Sequence, residues 1–265
     1  MKKEIKKFIK VWFIMACKAA QAQLINNWGG LLFLIGKTVR FTLTFVFVFT
    51  VLSGTGKLLN FSRDQIIVFF LVFNLIDVIS EAIFRGVYWF RSLVISGDYD
   101  FDLLRPMPTF FRPIFGWADI LDLITLVPLW IFFFVFIYKN GLMFSFQNFI
   151  IFSLFLFNSL LLSFAFHLAV CAICILTTEI DHLVWIYRDI TGIAKVPTDI
   201  YPRLIQYFLT FVVPATVLVT IPAKALLGFL SWQWMVLSFV IGGLSLVLSF
   251  RLWKYALTRY SSASS

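Results

Sequence analysis

Charge is scarce in this chain. Asp, Glu, Lys and Arg make up 13% of its 265 residues, whereas hydrophobic residues make up 61% and the mean hydropathy is +0.95. A water-soluble domain is roughly 45–50% apolar and about 25% charged. The chain lacks the polar surface that would cover a globule, which argues against a soluble enzyme, a nucleic-acid-binding module and a disordered scaffold. The composition indicates a polytopic membrane protein with no nucleic-acid partner.

Cysteine is also scarce, and three residues are too few for a disulfide framework. Two of them, Cys171 and Cys174, follow His167 at spacings of four and three, but a metal site needs a further polar ligand and none is obvious. We therefore expect small core side chains here, with no metal and no catalytic residue. The alternative is a membrane-embedded enzyme that uses this cluster or the aspartates, which would require a convergent polar constellation.

Nucleotide-binding motifs are present only as fragments. Gly30 and Gly36-Lys37-Thr38 are separated by five residues, whereas a phosphate-binding loop has four and follows a strand. Gly54-Thr55-Gly56-Lys57 is also incomplete. We expect the chain to bind no ATP or other cofactor, so an ATPase that drove it would be a separate polypeptide.

Six stretches of about 20 apolar residues are long enough to cross a membrane core of about 30 Å as helices. They are Leu31–Leu52, Gln65–Phe84, Ile114–Tyr138, Phe146–Leu176, Gln206–Ile221 and Trp232–Phe250. The sequence thus predicts an all-α membrane helix bundle, with one transmembrane domain over residues 1–265. Region 177–203 is ambiguous, because Leu183–Val196 resembles a helix but carries three charged residues. It predicts an irregular or broken fifth-span region, which is tolerated only where protein or water surrounds it.

The N-terminal segment 1–27 has its own pattern. Apolar residues from Ile5 to Ala19 recur at spacings of three and four, and lysines supply the opposite side. This pattern predicts an amphipathic helix that lies in the membrane interface. One alternative is a frayed basic tail. Another is a signal peptide cleaved at Ala20-Gln21-Ala22, although its apolar stretch, Val11–Ala16, is short.

Lys and Arg predict the orientation, because they are enriched in cytoplasmic loops. If the six spans alternate, most basic residues fall in the N-terminal segment, the loop 85–113 and the C-terminal tail. We therefore expect both termini in the cytoplasm and a multi-pass protein of the cytoplasmic (inner) membrane.

Charged residues within the predicted spans are functional candidates, because charge is costly inside a membrane. Lys37 and Arg40 in the first span and Asp77 and Glu81 in the second lie at similar depths, roughly 20 Å below the outer face. We expect intramembrane ion pairs among these four residues. One alternative is that the basic side chains snorkel to the interface. Another is a proton or ion relay through Asp77 and Glu81, which would make the chain a gradient-driven secondary transporter.

The loop 85–113 is the most distinctive segment. Its centre, Gly97-Asp98-Tyr99-Asp100-Phe101-Asp102-Leu103-Leu104-Arg105-Pro106, sets apolar residues beside three carboxylates and an arginine. Arg105-Pro106 is expected to end a helix, since the residue before proline is pushed out of helical geometry. A short amphipathic helix at the membrane face suits docking on a cytoplasmic partner; the alternative is a solvated loop. We expect arginines of this loop to pair with Asp119 and Asp122 at the start of the third span.

In this loop the sequence resembles the membrane subunits of ABC-2 type ATP-binding-cassette exporters, in the small-permease branch called ABC-2 family transporter protein. The similarity starts from the glycine and carboxylates of 97–100, followed by Leu103-Leu104-Arg105-Pro106. Three other places agree, and the similarity extends over nearly the whole chain. They are Gly36-Lys37 with Arg40, then Tyr201-Pro202 with Phe211–Pro214 and Ile221–Ala223, and the ending Arg251–Ser262.

The resemblance implies a permease without its own enzyme activity, which would export an unspecified cargo. A second permease, identical or paralogous, would pack beside it in the lipid bilayer, and a cytoplasmic ABC ATPase dimer would carry ATP and Mg. Residues 97–106 would couple to that ATPase through Gly97, Asp98, Asp100, Phe101, Asp102, Leu104, Arg105 and Pro106. The resemblance also implies helix breaks at Pro202, Pro214 and Pro222. It places Leu183–Val196 within the fifth span, whereas hydropathy places all of 177–203 on the inner side.

Overall fold

The computed structural model describes residues 2–25, 27–55, 57–58, 61–142, 145–177 and 183–261. Within these ranges the chain is almost entirely helical. The helices are α1 (Lys2–Ile25), α2 (Asn27–Thr55), α3 (Arg63–Phe84), α4 (Val87–Ile95), α5 (Asp98–Leu103), α6 (Phe111–Phe115), α7 (Ile120–Lys139), α8 (Phe146–Thr177), α9 (Leu183–Thr191), α10 (Arg203–Tyr207), α11 (Ile221–Leu227) and α12 (Trp232–Arg259). Two short antiparallel strands, β1 (Lys57–Leu58) and β2 (Phe61–Ser62), pair before α3.

Within the described residues, six helical stretches are long and apolar enough to cross a membrane, which confirms the predicted all-α polytopic fold. Four of them contain the first, second, fourth and sixth predicted spans, and a fifth, Ile120–Lys139, covers most of the third. The sixth stretch is Glu4–Ile25 in α1. Length and composition alone would let α1 cross the membrane, so its interfacial position stays a prediction.

The start of the third predicted span was wrong by six residues. The chain forms the separate short helix α6, and α7 begins only at Ile120. Asp119 sets this start, because its side chain accepts hydrogen bonds from the backbone N–H groups of Leu121 and Asp122 at 3.0 and 3.3 Å. A carboxylate in this position satisfies N–H groups that have no partner within the helix.

Helix α3 is the centre of the bundle. Its residues Ile66–Leu71 are buried on every side, which is the arrangement expected of a helix that is apolar all round. A reciprocal cap fixes its first turn: Ser62 Oγ accepts from the Gln65 backbone N–H, and Gln65 Oε1 accepts from the Ser62 N–H. Because α3 runs from β2 to the loop 85–119, it defines two ends of the bundle. We call them the hairpin end and the loop end.

The fifth predicted span, Gln206–Ile221, is wrong as a single straight helix. The chain forms two pieces, Arg203–Val212 and Thr216–Leu227, bent by 84° where Pro214 interrupts the helix. Pro202 lies immediately before α10. Pro222, by contrast, does not separate two pieces, since it lies in the first turn of α11, where proline is tolerated.

The fifth crossing begins at the loop end, where Arg188 of α9 contacts Glu81. It ends at the hairpin end, where Phe229 packs against Phe61 with ring centroids 6.2 Å apart. Leu183–Val196 therefore belongs to the part of this crossing that leads from the loop end toward the hairpin end. The family resemblance implies this placement, whereas hydropathy put the segment on the inner side. Residues 178–182 of the predicted irregular region lie outside the described residues.

Buried hydroxyl groups hold the broken crossing together. Thr198 Oγ1 lies 3.1 Å from both Thr216 Oγ1 and Thr220 Oγ1, and Thr210 Oγ1 donates to Thr216 Oγ1 at 3.0 Å. The Thr220 hydroxyl also accepts from the Thr198 backbone N–H at 3.3 Å, a group that a continuous helix would satisfy itself. This explains how an irregular segment is accommodated inside an apolar bundle.

Gly242 is required by the packing of α8 against α12. Asn158 of α8 donates to the Ser238 carbonyl and hydroxyl at 3.2 and 3.0 Å, and a Cβ at Gly242 would collide with the Asn158 amide. We predict that Gly242→Ala lowers the free energy of unfolding by about 1–3 kcal/mol, the usual cost of overpacking. Thermal unfolding in detergent micelles measures the loss. Gly243→Ala is the matched control, because a Cβ there meets nothing within 4 Å; equal effects of both substitutions would contradict the prediction.

Candidate functional site

An ion-pair cluster lies where α2, α3, α7 and α9 meet near the loop end. Its members are Lys37, Asp77, Glu81, Arg85, Asp119, Asp122 and Arg188. Three of its carboxylates, those of Glu81, Asp119 and Asp122, are buried. Removing one partner of a buried ion pair leaves an uncompensated charge, which is strongly destabilising. The cluster therefore holds together the helices that supply its members.

Arg188 reaches α3 from α9 and contacts two of its carboxylates. Its Nη2 lies 3.3 Å from Asp77 Oδ2, and its Nε lies 3.2 Å from Glu81 Oε1. Tyr88 Oη donates to the same Glu81 oxygen at 2.7 Å and accepts from Arg188 Nη1 at 3.3 Å. Trp185 lies beneath the guanidinium at 5.5 Å, a cation–π distance. Arg188 thus joins the fifth crossing to the central helix.

Arg85 and Lys37 complete the cluster on the other side of α3. Arg85 Nη1 lies 2.7 Å from Glu81 Oε2, and Arg85 Nε lies 3.5 Å from Asp119 Oδ2. Lys37 forms an ion pair with the buried Asp122. The arginine at the start of the loop thereby meets the aspartates that begin α7.

The expected pairing of Lys37 or Arg40 with Asp77 does not form. Arg188 occupies Asp77, and Lys37 contacts Asp122 instead. The sequence prediction compared the depths of charged residues in the first two spans only. It therefore did not consider a cation from the fifth crossing, such as Arg188. Arg40 is exposed and lines an open pocket at the edge of the cluster.

The loop 85–113 is a compact helical unit. Gly97 has φ +79°, a left-handed conformation that glycine adopts without steric cost, and this turns the chain from α4 into α5. Tyr99 is fully buried, with its ring edge against Phe90 at 5.0 Å and its hydroxyl donating to the Thr109 carbonyl at 3.2 Å. Burial raises the pKa of the Tyr99 phenol above its usual value, so it stays a neutral donor.

Asp102 also points inward, and Arg112 Nη1 binds its two oxygens at 3.0 and 2.9 Å. Arg105 Nη1 approaches the same carboxylate at 3.4 Å. These contacts close the loop on itself. The opposite side of the loop is the docking face, which consists of Ile95, Asp98, Phe101, Leu104 and Arg105, all of them exposed. Phe101 is 64% and Leu104 83% exposed.

Both ends of the chain support the loop. Tyr260, just after α12, donates to Asp100 Oδ1 at 2.7 Å, and Trp253 Nε1 donates to Thr109 Oγ1 at 3.0 Å. Burial and the Asp100 hydrogen bond raise the pKa of Tyr260 to about 12, which keeps the donor protonated at physiological pH. From the other terminus, Lys7 Nζ donates to the Pro106 carbonyl at 2.9 Å.

Helix α1 lies along this end of the bundle. Besides Lys7, it uses Gln23, which accepts from the Ile120 N–H at 3.1 Å and donates to the Ala118 carbonyl at 3.0 Å. Both ends of α1 therefore contact the segment between the docking face and α7. Sequence analysis did not identify Tyr99, Trp253 or Tyr260 as supports of the loop, although the C-terminal Trp and Tyr residues lay within the segment that carried the family resemblance.

The predicted His167–Cys174 group behaves as core. His167 Nδ1 lies 2.7 Å from the Ser163 carbonyl oxygen, and its ring packs against Phe84. Cys171 and Cys174 are buried and unbridged. Among the residues that the structure describes, no three His, Cys, Asp or Glu side chains are grouped so as to hold a metal ion.

A comparison of the sequence with known protein families gives a match over most of the chain. The family model for ABC-2 family transporter protein matches residues 38–264, which includes the docking face and most of the ion-pair cluster but not α1 or Lys37. No curated protein matches the chain.

We predict that Arg188→Gln lowers the free energy of unfolding by about 3 kcal/mol, the low end of the cost of breaking a buried ion pair, because Asp77 loses its cation while the buried Glu81 keeps Arg85. Thermal unfolding in micelles measures the loss. The double variant Arg188→Gln/Asp77→Asn should recover part of it, since one orphaned charge is then removed. Arg63→Gln is the control, because its pair with Asp64 is partly exposed and should contribute at most about 1 kcal/mol. A loss no larger for Arg188→Gln than for Arg63→Gln would contradict the role of the cluster.

Proposed function

This chain belongs to the ABC-2 family of transporter proteins, and we propose that it is the permease subunit of an ATP-driven exporter. ATP and Mg would bind to a separate cytoplasmic ATPase dimer. A second permease, identical or paralogous, would complete the transmembrane pathway. The observation that carries the proposal is the docking face, an exposed apolar surface on a rigidly supported loop.

The docking face has the composition of a protein contact. Phe101 and Leu104 expose most of their apolar surface at the loop end, flanked by the charged side chains of Asp98 and Arg105. Large exposed aromatic and aliphatic side chains rimmed by charge are typical of sites that bind another protein. A cleft in the ATPase would cover Phe101 and Leu104, and basic groups at its rim would meet Asp98.

The other face of the loop explains how motion would pass into the membrane. Tyr99 is buried against Phe90, and Tyr260 and Trp253 connect the loop to α12. A displacement of the docking face would therefore move α4 and α12 together rather than bend a free loop. ATP drives such a switch only if it favours one of the two states of the assembly.

The loop end would be cytoplasmic. Three groups of basic residues lie there: those of α1, those of the loop and those at the end of α12. The contacts of Lys7 with Pro106 and of Tyr260 with Asp100 show that α1 and the end of α12 lie beside the loop. Under the positive-inside rule this bias supports a cytoplasmic location for both termini. The protein would then be a multi-pass protein of the cytoplasmic membrane.

The gradient-driven alternative has less support. A relay carboxylate must gain and lose a proton during transport, whereas Asp77 and Glu81 both contact Arg188. Glu81 also contacts Arg85, so both carboxylates belong to a network of ion pairs between helices. This arrangement suits a structural link better than proton transfer.

The proposal is tested by isolating the tagged chain from its native membrane in mild detergent, identifying the subunits that copurify and assaying ATPase activity. We expect an ABC ATPase in roughly stoichiometric amount, together with one kind of permease or two. A chain that purifies without an ATPase, and transports in response to a proton gradient, would overturn the proposal.

We predict that Phe101→Ala and Leu104→Ala each lower transport-coupled ATPase activity by about tenfold or more, since truncating a central apolar anchor costs 2 kcal/mol or more. Activity of the copurified complex in proteoliposomes is the readout. Phe146→Ala is the matched control, because Phe146 is at least as exposed as Phe101 but lies at the start of α8, away from the loop. Activity that survives both loop substitutions would contradict the role of the docking face.

A further inference from the structure

An open pocket of about 390 Å³ lies at the edge of the ion-pair cluster, between α2, α3, α9 and the turn Gly192–Lys195. Three cationic side chains and two carboxylates line it. They are Arg40, Arg188 and Lys195, with Asp77 and Asp189. The lining therefore carries a net charge of +1, inside a chain where charge is scarce.

The positive charge that is available comes from two residues. Arg188 is engaged by Asp77 and Glu81, as described above. In the described parts of the chain, Arg40 and Lys195 form no ion pair with a carboxylate; Asp189, the other acidic residue of the pocket, is exposed to solvent. Two cations from different segments that face one pocket without a carboxylate partner are unusual at membrane depth, where such charges normally pair or mark a pathway.

The walls next to these cations are apolar. Phe73 lies beneath the Lys195 ammonium at 5.3 Å, and Trp185 and Ile193 line the opening. From Arg40 the exposed residues Leu43 and Phe47 continue on the same face of α2, three and seven positions along the helix. An apolar stripe thus leads from the charged pocket toward the hairpin end, over a helix that extends about 22 Å beyond Arg40.

We propose that this pocket binds the anionic headgroup of a membrane amphiphile, such as a phosphate-bearing lipid, between Arg40 and Lys195. Its acyl chain would lie along Leu43 and Phe47. The apolar stripe favours an amphiphile over a soluble anion, because a free anion would gain nothing from it. That the bound molecule is cargo rests on the proposed export function, whereas the binding itself does not.

Native mass spectrometry of the full chain in detergent micelles tests the binding. The probes are dioleoylphosphatidylglycerol, dioleoylphosphatidylcholine and inorganic phosphate. We expect one phosphatidylglycerol to be retained in preference to phosphatidylcholine, with roughly tenfold weaker binding in Arg40→Gln and Lys195→Gln, since each removes a charge-assisted contact. Lys195→Arg should keep the binding, which separates loss of charge from misfolding. Lys139→Gln is the control, because this exposed lysine lies at the far end of α7.

Each other outcome overturns part of the proposal or all of it. Equal retention of both lipids, or equal losses in Lys139→Gln and Lys195→Gln, would exclude an anion site in the pocket. Phosphate that competes with phosphatidylglycerol at equal concentration, with no effect of Leu43→Gln, would replace the amphiphile by a soluble anion. Preferential lipid retention in a chain that recruits no ATPase would sustain the site while overturning the export function.

Discussion

The contact of Arg188 with Asp77 and Glu81 is the interaction on which the arrangement of this bundle depends. A half-buried guanidinium beside two carboxylates is tolerated at membrane depth only because each charge has its partner. It fixes the irregular fifth crossing against the central helix α3. Through Arg85, the same Glu81 is connected to the start of α7, so one carboxylate links three parts of the membrane domain. The pocket that we assign to an anionic headgroup lies directly beside this contact.

The loop 85–113 is held instead by buried side chains and their hydrogen bonds. Its inner side is held by Tyr99, Asp102 and Trp253, while its outer side exposes Phe101 and Leu104. A loop held in this way can transmit a displacement, because its inner contacts keep it in a fixed position relative to α4 and α12. The two termini contribute to this support, which ties α1 and α12 to the surface that would receive the ATPase. The ion-pair cluster lies one layer deeper, at the point where the same displacement would reach the fifth crossing.

Much of this architecture follows from local sequence. Continuous apolar stretches predict α2, α3, α7, α8 and α12, because a membrane helix must be apolar over about 20 residues. The alternation of apolar and charged residues in 97–106 predicts a short amphipathic helix with Phe101, Leu103 and Leu104 as apolar anchors for a partner; Phe101 and Leu104 are exposed, whereas Leu103 packs against the core. What the sequence did not predict depends on tertiary contacts. Tyr99 turns inward within a six-residue helix, too short for a helical period to show which side is buried. The partner of Asp77 comes from an irregular segment whose position no hydropathy pattern specifies.

The most direct test of the account is a photo-crosslink from the docking face in the native membrane. A benzophenone amino acid replacing Phe101 should form a covalent adduct with an ABC ATPase subunit on illumination, because the side chain would lie in a cleft of that subunit. The same probe replacing Phe146, which is at least as exposed as Phe101 but lies at the hairpin end, should form no such adduct. Equal adducts at both positions, or none with an ATPase at position 101, would contradict the claim that this chain is driven through its loop.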